Sequence, residues 1–308
     1  MMLCGNSICA GEKKSVFLPI PGAAPLRAVL YCGARPGKTL AVTAGVHGCE
    51  YVGIEAARRL ERLLDPAALS GNVILLPLIN KVGFYAGIKQ IMPVDGKNLN
   101  RAFPGSSDGT VTERLAHLLE TTLYPDIDFL LDLHGGDWNE AMCPLVFFPA
   151  AGTSQVNAVS LAAAKTLHVS YRVPSTAKNG LYSWAIQQRV PALLVERGGQ
   201  GRWSEDEVSA CLADVQALME YLNILPEPPA ELPQQEIAEA VYEESPADGF
   251  WYPQTTAGAA IRRGELLGKL NTDAASLEVR AKFDGVTLYY TTALGVRAGD
   301  PLIAYGRT

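Results

Sequence analysis

A few residues in this chain have the types and spacing that chemistry needs. His47 and Glu50 stand three apart in AGVHGCE, and His134 closes the run FLLDLH. A spacing of i, i+3 puts two side chains on one side of a first helical turn, so an imidazole nitrogen and a carboxylate oxygen can share one metal ion. A third ligand from another strand, with water in the fourth position, gives the open geometry of catalytic zinc. Two histidines and one carboxylate suit zinc, and the same set admits other divalent ions. Asp132 lies two residues before His134 and shares its face of a strand, where it can orient an imidazole from outside the ligand set. Glu196 ends the apolar run PALLVE. A carboxylate beside a metal-activated water can take its proton and pass it to a leaving amine. The alternative for Glu196 is an ion pair with Arg197 or another base.

HxxE alone is a weak signal in a chain with four histidines. The context strengthens it, because HGCE follows a strand of small residues and DLHGGD follows an apolar one. His117 and His168 fall in helix-like segments without partners and receive no role. Cys49, between two ligands, is expected to point away from the metal. In PVDGKNLNRAFPG, residues 93–105, the guanidinium fork of Arg101 and the adjacent amide of Asn100 suit a substrate carboxylate. A network that merely folds the loop is the alternative. ERGGQG has neither the Lys-Ser/Thr of a phosphate loop nor the GxGxxG order.

These residues need elements to position them. TLAVTAGV (39–46), NVILLPLI (72–79), Phe129–Leu133 and PALLVE (191–196) read as buried strands, with another at Leu145–Pro149. Helices are predicted over 51–64, 111–123, 153–167, 179–189 and 204–223. Strand, helix, strand in that order predicts parallel βαβ units, whose strand ends converge on one crevice. Residues 80–109 form a long loop of the functional kind. The texture changes at LPEPPAELPQQE, which reads as a linker. Beyond it lie short strands and many glycines, and the turns RRGELLG and RAGDPL repeat one pattern, which predicts a small all-β unit.

The chain has 308 residues and a net charge of −6, with no basic run, so a nucleic-acid partner is not expected. No apolar stretch reaches the roughly 20 residues that span a bilayer. The N-terminal MMLCGNSICAGEKK lacks the pattern of a secretory leader, so a soluble, cytoplasmic protein is expected. The six cysteines form no CxxC pair and are expected to be reduced and mostly buried.

HGCE, NLNRAFPG, DLHGGD and VERGGQG, in this order, resemble the succinylglutamate desuccinylase/aspartoacylase family, a branch of the zinc carboxypeptidase superfamily. The resemblance covers roughly residues 35–225. It implies a three-layer α/β/α zinc-carboxypeptidase-like domain with a mixed sheet over residues 1–228. It implies one zinc ion on His47, Glu50 and His134, a zinc-bound water activated by Glu196, and a substrate carboxylate on Asn100 and Arg101. Residues 229–308 resemble a small all-β barrel/sandwich-hybrid domain of the lipoyl kind, without the lysine of a swinging arm. One position departs from the pattern. Where similar proteins carry an arginine shortly before PVDG, this chain has Gln90, with Lys89 beside it. Tyr182 is the candidate for an assisting tyrosine. The activity implied is hydrolysis of the amide of a small N-acyl amino acid. A metallocarboxypeptidase acting on peptides, or a zinc-containing binding or regulatory protein with impaired catalysis, are the alternatives. A homo-oligomer is the default assembly.

Overall fold

Strands with long apolar stretches that show no polar alternation need cover on both faces. The computed structural model, which describes residues 1–308, places four of them side by side and parallel: Ala192–Glu196, Phe129–His134, Arg35–Ala44 and Ser70–Leu76. Leu26–Cys32 and Glu12–Leu18 extend the sheet antiparallel beyond Ser70–Leu76. On the other side Leu145–Pro149 runs antiparallel to Ala192–Glu196, and Tyr171–Ser175 and the short Gln235–Glu236 follow it in parallel. The sheet is therefore mixed.

Its two faces pack on separate cores. Leu40, Val42, Phe129, Leu131, Leu133, Leu193 and Val195 share one with Val52, Ala56 and Leu60 of the helix Tyr51–Leu63 and with Val208 and Val215 of the helix Glu205–Tyr221. Ala41, Leu130, Ala192 and Leu194 share the other with Leu115 and Leu119 of the helix Val111–Thr122 and with Leu181 and Ala185 of Leu181–Gln187. This is the expected α/β/α layering. By strand parity Asp132 and His134 fall on the side of Leu130, and Glu196 on the side of Leu194. No helix is long and apolar enough to cross a membrane.

From Glu239 onward the C-terminal region is antiparallel β. One sheet contains Glu239–Glu244, Pro301–Arg307, Gly285–Thr291 and Ala260–Ile261, and the other Ser276–Arg280, Leu266–Asn271, Gly249–Pro253 and Gly295–Val296. Trp251, Leu267, Leu270 and Tyr305 lie at its centre. The repeated turns share one construction. Arg262 N–H donates to Glu265 Oε2 at 2.9 Å, and Arg297 N–H donates to Asp300 Oδ2 at 2.8 Å. A glycine with positive φ sits inside each, Gly264 at +84° and Gly299 at +86°.

The two regions are joined by more than a linker. The strand Glu140–Met142, which leaves the large domain just after the DLHGGD motif, pairs with Gly285–Thr291. Beside it Cys143, Leu145 and Val173 pack with Ile237, Val286, Leu288 and Ala304 in one buried cluster. Gln235–Glu236, at the end of the proline-rich segment, adds to the large sheet.

Candidate active site

The parallel register sets His134 opposite Glu196 and Thr43 opposite Asp132. The chain leaves Arg35–Ala44 through Gly45, whose φ is +67°. His47 and Glu50 follow in a turn closed by Glu50 N–H to the His47 carbonyl at 3.5 Å. The pair thus precedes the helix, where a first helical turn was expected. Glu50 occupies the N-cap position but makes no capping bond with its side chain, so the carboxylate is available for other contacts.

Glu50 Oε1 lies 2.6 Å from His47 Nδ1, and Oε2 lies 2.9 Å from His134 Nδ1. All three side chains are buried, and one donor atom from each lies within 4.8 Å of the others. The far side of each ring is held by an acceptor. Asp132 Oδ2 accepts from His134 Nε2 at 3.0 Å, and Asp132 Oδ1 accepts from Thr43 Oγ1 at 2.6 Å. Asn98 Oδ1 sits 3.1 Å from His47 Nε2 and also accepts from Asn100 N–H at 2.8 Å, which fixes the orientation of its amide. Asn98 was not singled out from the sequence. Its place two residues before Asn100, on the site loop, is the signal that could have found it.

This geometry tests the fit to a metal. With both Nε2 protons committed, each neutral ring turns the Nδ1 lone pair toward a carboxylate. Glu50 Oε2 has no aligned hydrogen-bond donor although it is buried. Two lone pairs and an anion repel in a low-dielectric site unless a cation stands among them. Either both rings take a second proton or one divalent ion serves all three, so the donor set fits such an ion. The electrostatics agree. Burial by itself would raise the Glu50 carboxyl, but the two imidazoles bring it down to about 2. Burial would lower His134, and Asp132 and Glu50 outweigh it and hold the ring well above its ordinary range.

A cavity of about 590 Å³ opens beside this group, and His47, Glu50, Gln90, Asn100, Arg101, His134 and Glu196 all line it. Glu196 does not pair with Arg197. The Arg197 guanidinium turns away to Asp214 at 2.5 Å and to the His168 carbonyl at 2.6 Å. Glu196 Oε2 is buried without a partner. Burial lifts its carboxyl well above the usual range, His134 opposes this, and Glu50, Glu140 and Asp132 add to it. Asn100 Oδ1 accepts from Leu181 N–H at 2.9 Å, which leaves its NH₂ group to offer. Arg101 donates to the Asn100 carbonyl at 2.8 Å and pairs with no carboxylate. Gln90 Nε2 donates to Asp137 Oδ2 at 2.7 Å, Lys89 Nζ lies 3.2 Å from the same oxygen, and Cys49 Sγ donates to Asp137 Oδ1 at 2.9 Å. Cys49 therefore stays outside the ligand group, and Gln90 and Lys89 are both tied to Asp137. All six cysteines are unpaired, and all but Cys9 are buried. Tyr182 lines the cavity, and the C-terminal region adds Tyr242 and Tyr289, which the sequence did not mark. Burial raises the Tyr182, Tyr242 and Tyr289 hydroxyls, and Glu196 contributes to each.

The chain matches the family described as the succinylglutamate desuccinylase/aspartoacylase catalytic domain over residues 36–222. It is 26% identical over 280 residues to the N-alpha-acetyl-L-2,4-diaminobutyric acid deacetylase of Halomonas elongata, covering 86% of this chain and 81% of that one. Among solved structures it is similar to a succinylglutamate desuccinylase/aspartoacylase from Rhodobacter sphaeroides, at 25% identity and a TM-score of 0.87 over 98% of both chains. The product-bound ectoine utilization protein EutE of Ruegeria pomeroyi shares the fold at 24% identity and a TM-score of 0.87, over 98% of both chains.

Proposed function

The chain belongs to the succinylglutamate desuccinylase/aspartoacylase family, and we propose that it is a zinc-dependent hydrolase of the amide bond of a small N-acyl amino acid. The observation that carries this reading is the unpartnered carboxylate of Glu196, set in one cavity with the converging His47, Glu50 and His134. Zinc, when bound there, supplies a Lewis acid and lowers the pKa of a water. The chain's own residues do the rest. Glu196 takes a proton from the attacking water at Oε2 and returns it to the amine nitrogen as the C–N bond breaks. Its raised affinity for a proton suits it to hold that proton between the two steps. Asp132 and Asn98 keep the imidazoles turned so that Nδ1 faces the ion. Arg101 and the NH₂ of Asn100 hold the substrate carboxylate.

Residues 1–228 carry the chemistry in this reading and residues 229–308 close the cavity. Tyr242, Glu244, Tyr289, Pro301 and Ile303 line it from the C-terminal side. A site of about 590 Å³ roofed in this way suits an acyl amino acid better than a polypeptide, which weighs against a carboxypeptidase. The relative named as a deacetylase of an acetylated diamino acid supports the same substrate class. Unpaired thiols suit a reducing compartment such as the cytoplasm. The second reading, a zinc-containing binding protein, rests on Gln90, whose amide replaces a cation at the position next to the site and is held by Asp137.

The test is release of free amine from a panel of N-acyl amino acids and short peptides, with and without a chelator, alongside metal analysis. Chelator-sensitive release from an acyl amino acid is the expected result. Silence across the panel with zinc present would replace this reading with the binding protein.

A further inference from the structure

The sheets of this molecule end in strands with one unpaired side, and most of these are two or three residues long. Three are longer. Glu12–Leu18 carries Lys13 and Lys14, and Glu239–Glu244 carries three glutamates and no base. Short strands, lysines and charge of a single sign all discourage an edge from pairing with another chain. The third, Ser276–Arg280, has neither a lysine nor a single sign of charge.

Val279 of this strand packs on the core around Trp251, so Glu278 and Arg280 take the opposite face. Their charges are opposite and two residues apart. Glu278 is drawn toward Arg280 of its own strand at 2.6 Å and toward Lys269 at 3.3 Å, and both carboxylate and guanidinium stay partly in water. Leu277 is 39% exposed. Thr272 N–H donates to the Ala275 carbonyl at 2.9 Å, and Ala281 N–H donates to the Glu265 carbonyl at 3.0 Å. An antiparallel ladder alternates between such bonds. The N–H and C=O of Ser276, Glu278 and Arg280 therefore turn away from Leu266–Asn271, toward the open side.

We propose that Ser276–Arg280 is a homodimer interface, at which two copies pair this strand antiparallel about a two-fold axis at Val279 and join their four-stranded sheets. In that register Glu278 of each copy stands opposite Arg280 of the other. Both are outward-turned residues, so each pair also exchanges backbone hydrogen bonds. Leu277 of each copy stands opposite Ala281 of the other and loses its exposure. Centred one residue earlier, Glu278 would meet Glu278, and like charges directly opposite are destabilising. The charge pattern thus selects both the partner and the register, because a two-fold contact must be complementary to itself. The strands that line the cavity, Glu239–Glu244, Gly285–Thr291 and Pro301–Arg307, belong to the other sheet of this region, so the pairing does not use them. A five-residue edge is small for a permanent interface, so the dimer is reversible and concentration-dependent.

The experiment is sedimentation velocity on the full chain at low salt, from about 1 to 100 µM, the range expected of a small interface. A monomer–dimer equilibrium is expected. Glu278→Arg places arginine opposite arginine and Arg280→Glu places glutamate opposite glutamate, so each variant alone should dimerise at least about tenfold more weakly. Mixed with each other, the two variants should associate again, since every facing pair is then of opposite sign. Register is read by cross-linking in a Cys9→Ser background. Val279→Cys should form an intermolecular disulfide on mild oxidation, because a non-hydrogen-bonded pair brings the two Cα atoms to about 4.5 Å. Leu277→Cys should not, because its copy lies several residues away across the axis. A chain that stays monomeric throughout, a dimer that neither charge variant weakens, or cross-linking at Leu277→Cys in place of Val279→Cys would overturn the interface.

Discussion

The two ends of the cavity are built differently. At the metal end His134, Asp132 and Glu196 stand on strands covered on both faces, where Leu130, Leu131, Leu133 and Val195 are all at most 1% exposed. Each imidazole is held on two sides. At the other end Tyr242 is 51% exposed and Glu244 makes no side-chain bond. That end rides on a region whose own core holds 10 buried residues, against 33 and 31 for the cores flanking the large sheet. The groups proposed to hold a metal and move a proton stand where two cores fix them. The groups that roof the cavity, Tyr242, Glu244 and Tyr289 among them, stand where a smaller unit meets the large one. The comparison predicts that damage at the metal end abolishes chemistry, and that damage at the far end shifts affinity and selectivity first.

The largest effect follows from Glu196→Gln. The amide keeps the shape and cannot shuttle the proton, so turnover falls by about 10²–10⁴ while bound zinc is unchanged. Activity measured with metal content on the same sample checks it, and full activity in the variant would break the assignment. Next comes the seam between the regions. Leu288 is fully buried there among Cys143, Leu145 and Val173. Leu288→Ala is expected to destabilise by about 2–5 kcal/mol. Kinetically it should raise KM before it lowers kcat, because the metal end does not depend on it. A loss confined to kcat would mean that the two ends are one unit. Smaller still is Asp132→Ala, which removes the acceptor from His134 Nε2 and should weaken metal affinity about 10–100-fold without unfolding the sheet. Titration with a competing chelator reads this directly.

The metal end was far more legible in the sequence than the other. Apolar runs such as FLLDL and PALLV announce strands buried on two faces, and a residue's parity along a strand says which face it takes. His134, Asp132 and Glu196 could therefore be placed together without knowing the fold. The turn before the helix at Tyr51 was less legible, because i, i+3 proximity arises in a tight turn as well as in a helix. The antiparallel pair Glu12–Leu18 and Leu26–Cys32 was not marked, and neither were Glu140, Tyr242 and Tyr289. Glu140 and Tyr289 meet through the pairing of Glu140–Met142 with Gly285–Thr291, across roughly half the chain, and local periodicity does not encode that register. Asp137 shows the same limit. It gathers Gln90, Lys89 and Cys49 from two separate segments, so the sequence could show an arginine missing at position 90 but not what holds its replacement.

The smallest expected effect tests whether Glu140 belongs electrostatically to the metal end. Its carboxyl is raised from 4.5 to about 7 by burial first and Asp137 second, with Glu50 adding and Lys89 opposing. Between those values the folded chain keeps the proton and the unfolded chain has lost it. Stability contributed by this group is therefore complete below about pH 4.5 and is lost as pH rises toward 7. Glu140 is only half-buried, so solvent screens the charge and the change is about 1 kcal/mol. Glu140→Gln has no proton to lose and should gain on the native chain between about pH 5 and pH 8, without ligand. Thermal unfolding of both chains at the two pH values gives the difference, and the metal's own pH dependence cancels because it is common to both. A gain at the higher pH alone ties Glu140 to the acidic surroundings of the metal group. Parallel curves would mean that its carboxylate is hydrated and ionised throughout, and that the far end of the cavity is electrically independent of the metal end.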